Sequence, residues 1–165
     1  MSLQKVILLL GSNMGERKYQ IVKALELLER EVGEIILQSG LYETEAWGKT
    51  DQPPFLNLCV VIETKFSPKD VLAKNLLIEA DMGRVRGDKW GARVIDIDIL
   101  FYGNEIVEER NLRIPHPEFE NRKFAIVPLM EIQPAFIHPV SSKTIQEVYA
   151  NCNDSLKVRL IKPEL

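Results

Sequence analysis

Apolar residues occur in two different patterns at the start of this chain, and each pattern predicts a secondary-structure element. The continuous apolar run over 6–10 predicts a strand buried on both faces. The glycine-containing segment over 11–15 then predicts a turn, which could also hold an anion at the start of a helix. Next, apolar residues at helical spacing predict a helix over about 17–32 that Gly33 ends: Ile21, Ala24, Leu25, Leu28 and Val32.

The rest of the chain alternates between strand and helix patterns. Strands are predicted over 35–45, 56–64 and 93–101, and a helix is predicted from Ser67-Pro68 to Gly83. Gly103-Asn104 predicts a hairpin between the strand over 93–101 and residues 105–107. Thr144 and Glu147 have the spacing of a capping box and predict a short helix, and residues 157–161 predict an edge strand.

This order of elements favours an α+β fold. Two strand-helix-strand units with a mainly antiparallel sheet and helices on one face form a ferredoxin-like βαββαβ sandwich, with extra C-terminal elements here. A chain of 165 residues is long enough for a proper core. Residues 1–165 are therefore predicted to form a single domain.

Two aspartates interrupt the apolar strand over 93–101. Because strand side chains alternate between faces, Asp96 and Asp98 point the same way, whereas Ile95, Ile97 and Ile99 cover the other face. Carboxylates this close repel each other unless a cation lies between them, and a hard divalent ion is the natural candidate. The alternative is a polar face that contacts only water.

Cations are concentrated just before the aspartates. Residues 84–93 contain Arg84, Arg86, Lys89 and Arg93, together with two glycines. Metal-binding acids beside such a stretch indicate polyphosphate chemistry, in which the metal bridges phosphate oxygens and arginines clamp them. Arg122 could be a further phosphate clamp or a surface charge.

Other polar residues suggest a second ligand. Phe55 and Asn57 are two residues apart, so both could face one cavity where the strand over 56–64 begins. A ring that stacks and a carboxamide that donates and accepts suit a flat heterocycle, whereas the alternative is a core Phe with a capping Asn. His116 lies between two prolines, so it cannot occupy a helix interior.

Composition excludes several classes of function. The net charge of −3 argues against a generic polyanion binder, so no nucleic-acid partner is expected. No signal peptide is visible and the first apolar run is too short to span a bilayer, so no membrane association is expected. Two cysteines, Cys59 and Cys152, make no disulfide framework and fit a reducing cytoplasm.

Short motifs follow one another in a specific order between about residues 6 and 134. They are Gly11-Ser12-Asn13, Tyr42-Glu43-Thr44, Asp51-Gln52-Pro53 with Phe55-Leu56-Asn57, Gly83-Arg84-Val85-Arg86, Lys89-Trp90-Gly91-Ala92-Arg93, Asp96-Ile97-Asp98-Ile99-Leu100, Ile114-Pro115-His116-Pro117 and Asn121-Arg122-Lys123-Phe124. Each is weak alone. Together they closely resemble the 6-hydroxymethyl-7,8-dihydropterin pyrophosphokinase family of folate biosynthesis.

The resemblance implies a reaction and its participants. Members of the family transfer the β,γ-pyrophosphoryl unit of ATP to the hydroxymethyl oxygen of the pterin and release AMP. ATP and 6-hydroxymethyl-7,8-dihydropterin are therefore the implied partners, and two Mg²⁺ ions on Asp96 and Asp98 are the implied cofactors. The family fold is ferredoxin-like. A monomer is expected, with a homodimer left open.

The resemblance also implies the residues of the site. Catalytic roles fall on Arg84, Arg93, Asp96 and Asp98. ATP-binding roles fall on Glu79, Arg84, Trp90, Arg93, Ile99, His116 and Arg122. Pterin-binding roles fall on Thr44, Glu45, Trp47, Phe55, Asn57 and Phe124, with the two phenylalanines on either side of the ring.

The chain departs from the family pattern in a few places. Glu45 and Ala92 stand where many members have proline, and Trp47 replaces a smaller apolar residue. Lys89 replaces a frequent arginine, which turns a bidentate phosphate grip into a point charge. These differences bear on rates and affinities, not on the reaction.

Two other classes of protein stay open on the residues alone. Nucleotidyltransferases also combine Gly-Ser with Asp-x-Asp, but those elements usually lie close in sequence, whereas Ser12 and Asp96 are far apart. A non-catalytic ferredoxin-like module that binds RNA would need a basic sheet face with stacking aromatics. A module that binds a small regulator would not need the aspartate pair.

Overall fold

A computed structural model of the chain describes residues 2–45, 53–83 and 94–165. The strands are β1 (Gln4–Ser12), β2 (Glu34–Gln38), β3 (Leu41–Thr44), β4 (Phe55–Thr64), β5 (Asp96–Tyr102), β6 (Val107–Glu109), β7 (Leu112–Ile114) and β8 (Val158–Lys162). The helices are α1 (Arg17–Glu31), α2 (Pro68–Asp81), α3 (Lys123–Ile132) and α4 (Ile145–Asn151), with a short 3-10 helix at Phe119–Asn121. Within the described ranges, no helix is long and apolar enough to cross a bilayer.

Six strands form one antiparallel sheet in the order β5-β1-β4-β3-β8, and β2 also pairs with β4. The ten residues of β4 provide room for both partners, because β3 pairs with its first half and β2 with its second half. This arrangement confirms the predicted ferredoxin-like fold with its mainly antiparallel sheet. The predicted edge strand is also confirmed, as β8 beside β3.

Helices cover both faces of the sheet. The two helices of the ferredoxin-like unit, α1 and α2, pack on one face against Val6, Leu8 and Leu10 of β1. The C-terminal helices α3 and α4 pack on the opposite face, against Ile7 and Leu9. Each fully buried aliphatic side chain contributes about 1.5–3 kcal/mol. The extra C-terminal elements therefore supply a second half of the core.

Local sequence explains where the helices begin. Ser67 is the N-cap of α2, and its hydroxyl accepts a hydrogen bond from the Asp70 N–H at 3.2 Å. Thr144 and Glu147 cap α4 reciprocally, each side chain accepting from the other residue's N–H. Such caps satisfy backbone donors that the first turn leaves without a partner. The predicted starts of α2 and α4 are confirmed.

The single strand predicted over 35–45 is wrong, because Ser39 and Gly40 divide it into β2 and β3. A Cβ on Gly40 would lie 2.8 Å from the backbone carbonyl oxygen of Lys162, so β8 approaches too closely for any other residue. Ser39 keeps the break attached to β4. Its N–H donates to the Cys59 carbonyl and its hydroxyl accepts from the Cys59 N–H, both at 2.9 Å.

The hairpin predicted between the strand over 93–101 and residues 105–107 is also wrong. The turn at Gly103 does form, with the Glu105 N–H donating to the Tyr102 carbonyl at 3.0 Å, but β6 pairs with β7. The chain returns to β5 only later, where the His116 N–H donates to the Leu100 carbonyl at 3.0 Å. This later contact brings a predicted site residue to the sheet edge.

Candidate active site

A row of residues crosses the sheet on the face that α3 and α4 cover. It lies next to the apolar side chains that pack under these two helices. Gly11 pairs with Asp96 on one side and with Asn57 on the other, and Asn57 pairs with Tyr42. Directly opposed residues of antiparallel strands share a face. Neighbouring strands are about 4.8 Å apart, so Asp96 and Asn57 lie about 10 Å apart at their Cα atoms.

Gly11 forms the centre of this row. The sequence predicts a turn at 11–15, but Gly11 and Ser12 belong to β1, so that prediction is wrong for these two residues. A Cβ on Gly11 would lie 2.8 Å from Asn57 Nδ2 and 3.7 Å from a ring carbon of Phe55. Because Gly11 has no side chain, nothing projects from β1 between Asp96 on β5 and Asn57 on β4.

The two aspartates of β5 share the face predicted for them. Asp96 and Asp98 are partly exposed, while Ile97 and Ile99 between and after them are buried in the α1 and α2 core. No cluster of three or more acidic, His or Cys side chains that could hold a metal occurs among the described residues. Asp96 and Asp98 are two carboxylates on one face, and such a pair is typical of a Mg²⁺ site, because this ion keeps water and phosphate oxygens as its other ligands.

Two predicted ATP contacts lie on the other side of β5. Glu79 of α2 is 4% exposed, and its carboxylate accepts a hydrogen bond from the Ile97 N–H at 2.7 Å. Ile99 is 6% exposed, and its side chain packs in the α1 and α2 core. Glu79 thus fixes the strand that carries the aspartates. The ATP-binding roles of both residues stay predictions, and the core position of the Ile99 side chain leaves its backbone for such a contact.

His116 is held close to the aspartates. Its Nδ1 accepts a hydrogen bond from the Glu118 N–H at 3.1 Å. Burial lowers the pKa of His116 and the charge of Arg122 lowers it further, while the charges of Glu118 and Asp96 act in the opposite direction. The neutral imidazole with an accepting Nδ1 carries its proton on Nε2. That N–H can donate to an anionic ligand.

Arg122 and Phe124 lie together at the start of α3. The Arg122 guanidinium is 5.7 Å from the centre of the Phe124 ring, a cation-π distance. The start of the helix is fixed by Asp154, whose carboxylate accepts from the Lys123 N–H at 3.0 Å. One helix start therefore carries a predicted phosphate contact and a predicted pterin contact.

Two described pterin candidates, on β3 and β4, have buried polar atoms without a hydrogen-bond partner among the described residues. Thr44 pairs with Phe55, and Asn57 donates through Nδ2 to the Leu10 carbonyl at 3.2 Å. Among the described residues, Thr44 Oγ1 and Asn57 Oδ1 find no hydrogen-bond partner, although these residues are only 2% and 3% exposed. A buried polar atom without a partner costs about 1–3 kcal/mol. Both atoms are therefore suited to a polar ligand.

The remaining predicted site residues are at or beyond the limits of the described ranges. Glu45 is exposed at the end of the first range. Trp47, Arg84, Trp90 and Arg93 lie outside the described residues, as do Lys89 and Ala92. Their predicted roles stay predictions.

Sequence reasoning gave no role to Tyr42 or to its partner on α3. The Tyr42 hydroxyl donates to Glu131 at 2.6 Å, and the same carboxylate accepts from the Gly40 N–H. Burial, followed by this hydrogen bond, raises the pKa of Tyr42, so the phenol stays protonated and donates. No local pattern could have indicated this pair, because the residues are 89 positions apart.

Comparison with known proteins identifies the family of this chain. Residues 7–134 match the family model of 7,8-dihydro-6-hydroxymethylpterin-pyrophosphokinase (HPPK). The chain is 44% identical over 142 residues to the 2-amino-4-hydroxy-6-hydroxymethyldihydropteridine pyrophosphokinase of Aquifex aeolicus, covering 86% of this chain and 88% of that protein. It is 38% identical over 154 residues to the Haemophilus influenzae protein of the same name, covering 92% and 94%.

A solved structure supports the fold alone. The wild-type Plasmodium falciparum HPPK-DHPS matches with a TM-score of 0.72 at 20% identity, covering 90% of this chain. This chain spans 44% of that longer protein.

The resemblance predicted from the motifs is confirmed by a family match over most of the chain and by relatives of nearly equal length. The predicted reaction class, transfer of pyrophosphate from ATP to a hydroxymethyldihydropterin in folate biosynthesis, is the one that the family carries out. The chain belongs to the 7,8-dihydro-6-hydroxymethylpterin-pyrophosphokinase family.

Proposed function

We propose that this chain transfers the β,γ-diphosphoryl group of ATP to the hydroxymethyl oxygen of 6-hydroxymethyl-7,8-dihydropterin. A bond forms between that oxygen and the β-phosphorus, and the bond from the β-phosphorus to the α,β-bridging oxygen breaks. The electron pair of the broken bond leaves with AMP, and the hydroxyl proton passes to solvent. The products are AMP and the pterin diphosphate.

The row from Asp96 to Asn57 is the observation that carries this proposal. Asn57 offers an amide for the edge of the pterin, while Asp96 stands two strands away on the same face. A bicyclic pterin with its hydroxymethyl arm is long enough to cross Gly11 and reach the acid. Holding two substrates in line in this way is the main contribution that a protein makes to phosphoryl transfer.

The pterin site is proposed to use residues from three elements. Phe55 of β4 and Phe124 of α3 would stack on the two faces of the ring. Thr44 Oγ1 and Asn57 Oδ1 would bond its polar edge, since among the described residues neither atom has a partner. Glu45 and Trp47 are further predicted contacts.

The phosphate side is proposed to use Asp96 and Asp98 as ligands of two Mg²⁺ ions. Two carboxylates fit Mg²⁺, which takes its remaining ligands from water and phosphate. When bound, the ions supply neutralisation of the polyphosphate charge and alignment of the reacting groups. His116 would donate from Nε2, and Arg122 would pair with phosphate oxygens. Arg84, Arg93 and Trp90 complete the predicted set, with Glu79 and Ile99 on the nucleotide side.

Product analysis tests the proposal directly. The protein is mixed with ATP, Mg²⁺ and 6-hydroxymethyl-7,8-dihydropterin, and the nucleotides are resolved, with a sample lacking pterin as the control. AMP formed in step with pterin diphosphate is the expected result. ADP would indicate single-phosphoryl transfer, pyrophosphate would indicate a nucleotidyltransferase, and no turnover by folded protein would indicate a binding module. Each of those three outcomes contradicts the proposal.

The setting of the activity is also proposed. Residues 1–165 would act as one cytoplasmic domain, working as a monomer. Cys59 and Cys152 are unbonded, which fits a reducing compartment. Light scattering of the purified protein would test the monomer, and a mass of two chains would contradict it.

A further inference from the structure

Two stems of the chain carry the predicted pterin contacts. One stem is the end of β3, with Glu43 and Thr44, and the other is Pro53-Pro54 immediately before β4, whose first residue is Phe55. Thr44 and Phe55 pair directly across the two strands. The distance between Thr44 Oγ1 and the Phe55 ring therefore depends on how firmly the two stems are held together.

Arg17, the first residue of α1, bonds both stems from one nitrogen. Its Nη1 donates to Glu43 Oε2 at 3.1 Å and to the Pro54 carbonyl at 2.8 Å. Asn13 adds a third link, since its Nδ2 donates to the Pro53 carbonyl at 3.1 Å. The stems are thus tied to the start of α1 as well as to each other.

Glu43 is well suited to be the fixed end of this link. It also accepts from Arg159 of β8 at 2.5 Å, and its side chain is only 18% exposed. Burial by itself would raise the pKa of Glu43, but the hydrogen bonds from Arg159 and Arg17 outweigh it and lower the pKa. The carboxylate therefore stays charged at neutral pH and keeps both arginines in place.

We propose that Arg17 is a positioning residue for the pterin site, which sets the spacing of the stems that carry Thr44 and Phe55. This inference rests on the proposed function. The hydrogen bonds of Arg17 in the described structure go to Glu43 and Pro54, so it acts through these two residues. The described ATP candidates Glu79, Ile99, His116 and Arg122 lie on other elements, so the effect is expected on the pterin alone.

A purely structural role predicts a different result. The backbone already pairs Glu43 with Leu56 and Thr44 with Phe55, so the strands stay joined without Arg17. Losing the arginine would loosen the stem ends and leave the sheet intact. The readout that separates the two roles is the Michaelis constant for pterin compared with that for ATP and with the melting temperature.

The experiment compares Arg17→Met, Arg17→Lys and the control Arg30→Met. Arg30 lies on the same helix but pairs with its exposed neighbour Glu31, so its loss changes the charge equally. Arg17→Met is expected to raise KM for pterin about tenfold, because small displacements of a positioned group have effects of this order. Arg17→Lys is expected to recover most of that loss, because one ammonium nitrogen has three donors for the two acceptors.

KM for ATP and the melting temperature should match those of Arg30→Met. A pterin KM equal to that of the control, or an equal rise in both Michaelis constants, would overturn the inference. Should Arg17→Met fail to fold, Glu43→Gln decides, since it keeps the bond from Arg17 to Pro54 and is expected to raise KM for pterin about threefold. An unchanged KM in that variant also overturns the inference.

A binding measurement separates this inference from the proposed function. Quenching of pterin fluorescence reports affinity for 6-hydroxymethyl-7,8-dihydropterin without turnover. If wild-type protein forms no AMP, the proposed function fails, whereas the ratio of pterin affinities between wild type and Arg17→Met still tests Arg17. A ratio near one overturns the inference, and a ratio of about ten supports it.

Discussion

The two faces of β1 lie between the same neighbouring strands yet differ in kind. On the α1 and α2 face, Val6, Leu8 and Leu10 are completely buried. On the other face, Ile7 and Leu9 pack under α3 and α4, and then Gly11 continues the line among polar residues. Because strand side chains alternate with a period of two, one strand contributes to the core on one face and to the proposed site on the other.

The largest expected effect is on the chemical face. Asp98→Ala should lower the rate of pyrophosphoryl transfer about a thousandfold or more, because it removes a proposed metal ligand. The melting temperature should change little, since Asp98 is partly exposed. AMP release and thermal unfolding are the measurements. The control is Ile97→Val on the opposite face, which should retain activity, and near-wild-type transfer by Asp98→Ala would show that the site is assigned wrongly.

The reverse pattern is expected on the packed face. Leu8→Ala should lower the free energy of unfolding by about 2–5 kcal/mol, because it leaves a cavity at a fully buried position. The rate per folded molecule should stay within about twofold of wild type, since Asp96, Asp98 and Asn57 lie on the opposite face of the sheet. Denaturant unfolding and assays well below the melting temperature would measure both. A large loss of rate in protein that is still folded would break the contrast between the faces.

Gly11 lies where the apolar part of this face ends and the row of polar residues begins, and its substitution tests that boundary. Gly11→Ala places a Cβ 2.8 Å from Asn57 Nδ2, so the amide must shift. We expect KM for pterin to rise about tenfold with a smaller effect on stability. Steady-state kinetics with each substrate varied in turn would measure this. An unchanged KM for pterin would show that the surface at Gly11 is not part of the site.

A smaller effect is expected for the part of this face that α3 and α4 cover. Thr144→Ala removes the N-cap of α4 and should cost about 1 kcal/mol of stability. Activity should be unaffected, because α4 packs on the apolar half of that face. Thermal unfolding and AMP release would check this, with Thr144→Ser expected to restore the cap. Loss of turnover without loss of stability would contradict the division of that face.

The smallest expected effect is a dependence of stability on pH that His116 causes. Burial, followed by the charge of Arg122, lowers the pKa of His116, so the unfolded chain takes up a proton at a higher pH than the folded chain. Stability should therefore fall as the pH drops below about 6.5. His116→Gln removes this contribution, so the stability of wild type relative to the variant should decrease from about pH 7.5 to about pH 5.5. His138 is present in both proteins and cancels, and a constant difference would be inconsistent with the lowered pKa.

The parts of the fold that the sequence predicts are those set by nearby residues. Apolar period and caps predict α1, α2 and α4, and alternation places Asp96 and Asp98 on one face. The order of these elements is enough to indicate the ferredoxin-like fold. Local physics decides each of these features, so no knowledge of distant contacts is needed.

The failures all depend on contacts between distant residues. The backbone of Lys162 leaves no room for a side chain at Gly40, and Asn57 leaves little room for one at Gly11. The link from Arg17 to Pro54 joins residues 37 positions apart. Glycine and proline look like turn residues in any window. Only the pairing of strands in the sheet shows that Gly11 lies in a row of polar groups.

The position of β8 has a consequence for how the molecule behaves in solution. β8 covers the outer edge of β3, the strand that carries Thr44, and presents Arg159 and Lys162 around the exposed Leu160 and Ile161. Without it, β3 would offer unpaired backbone groups to other chains, which is a common route to aggregation. The last strand therefore protects the site-bearing edge against self-association, and truncation before Val158 would be felt first as loss of solubility.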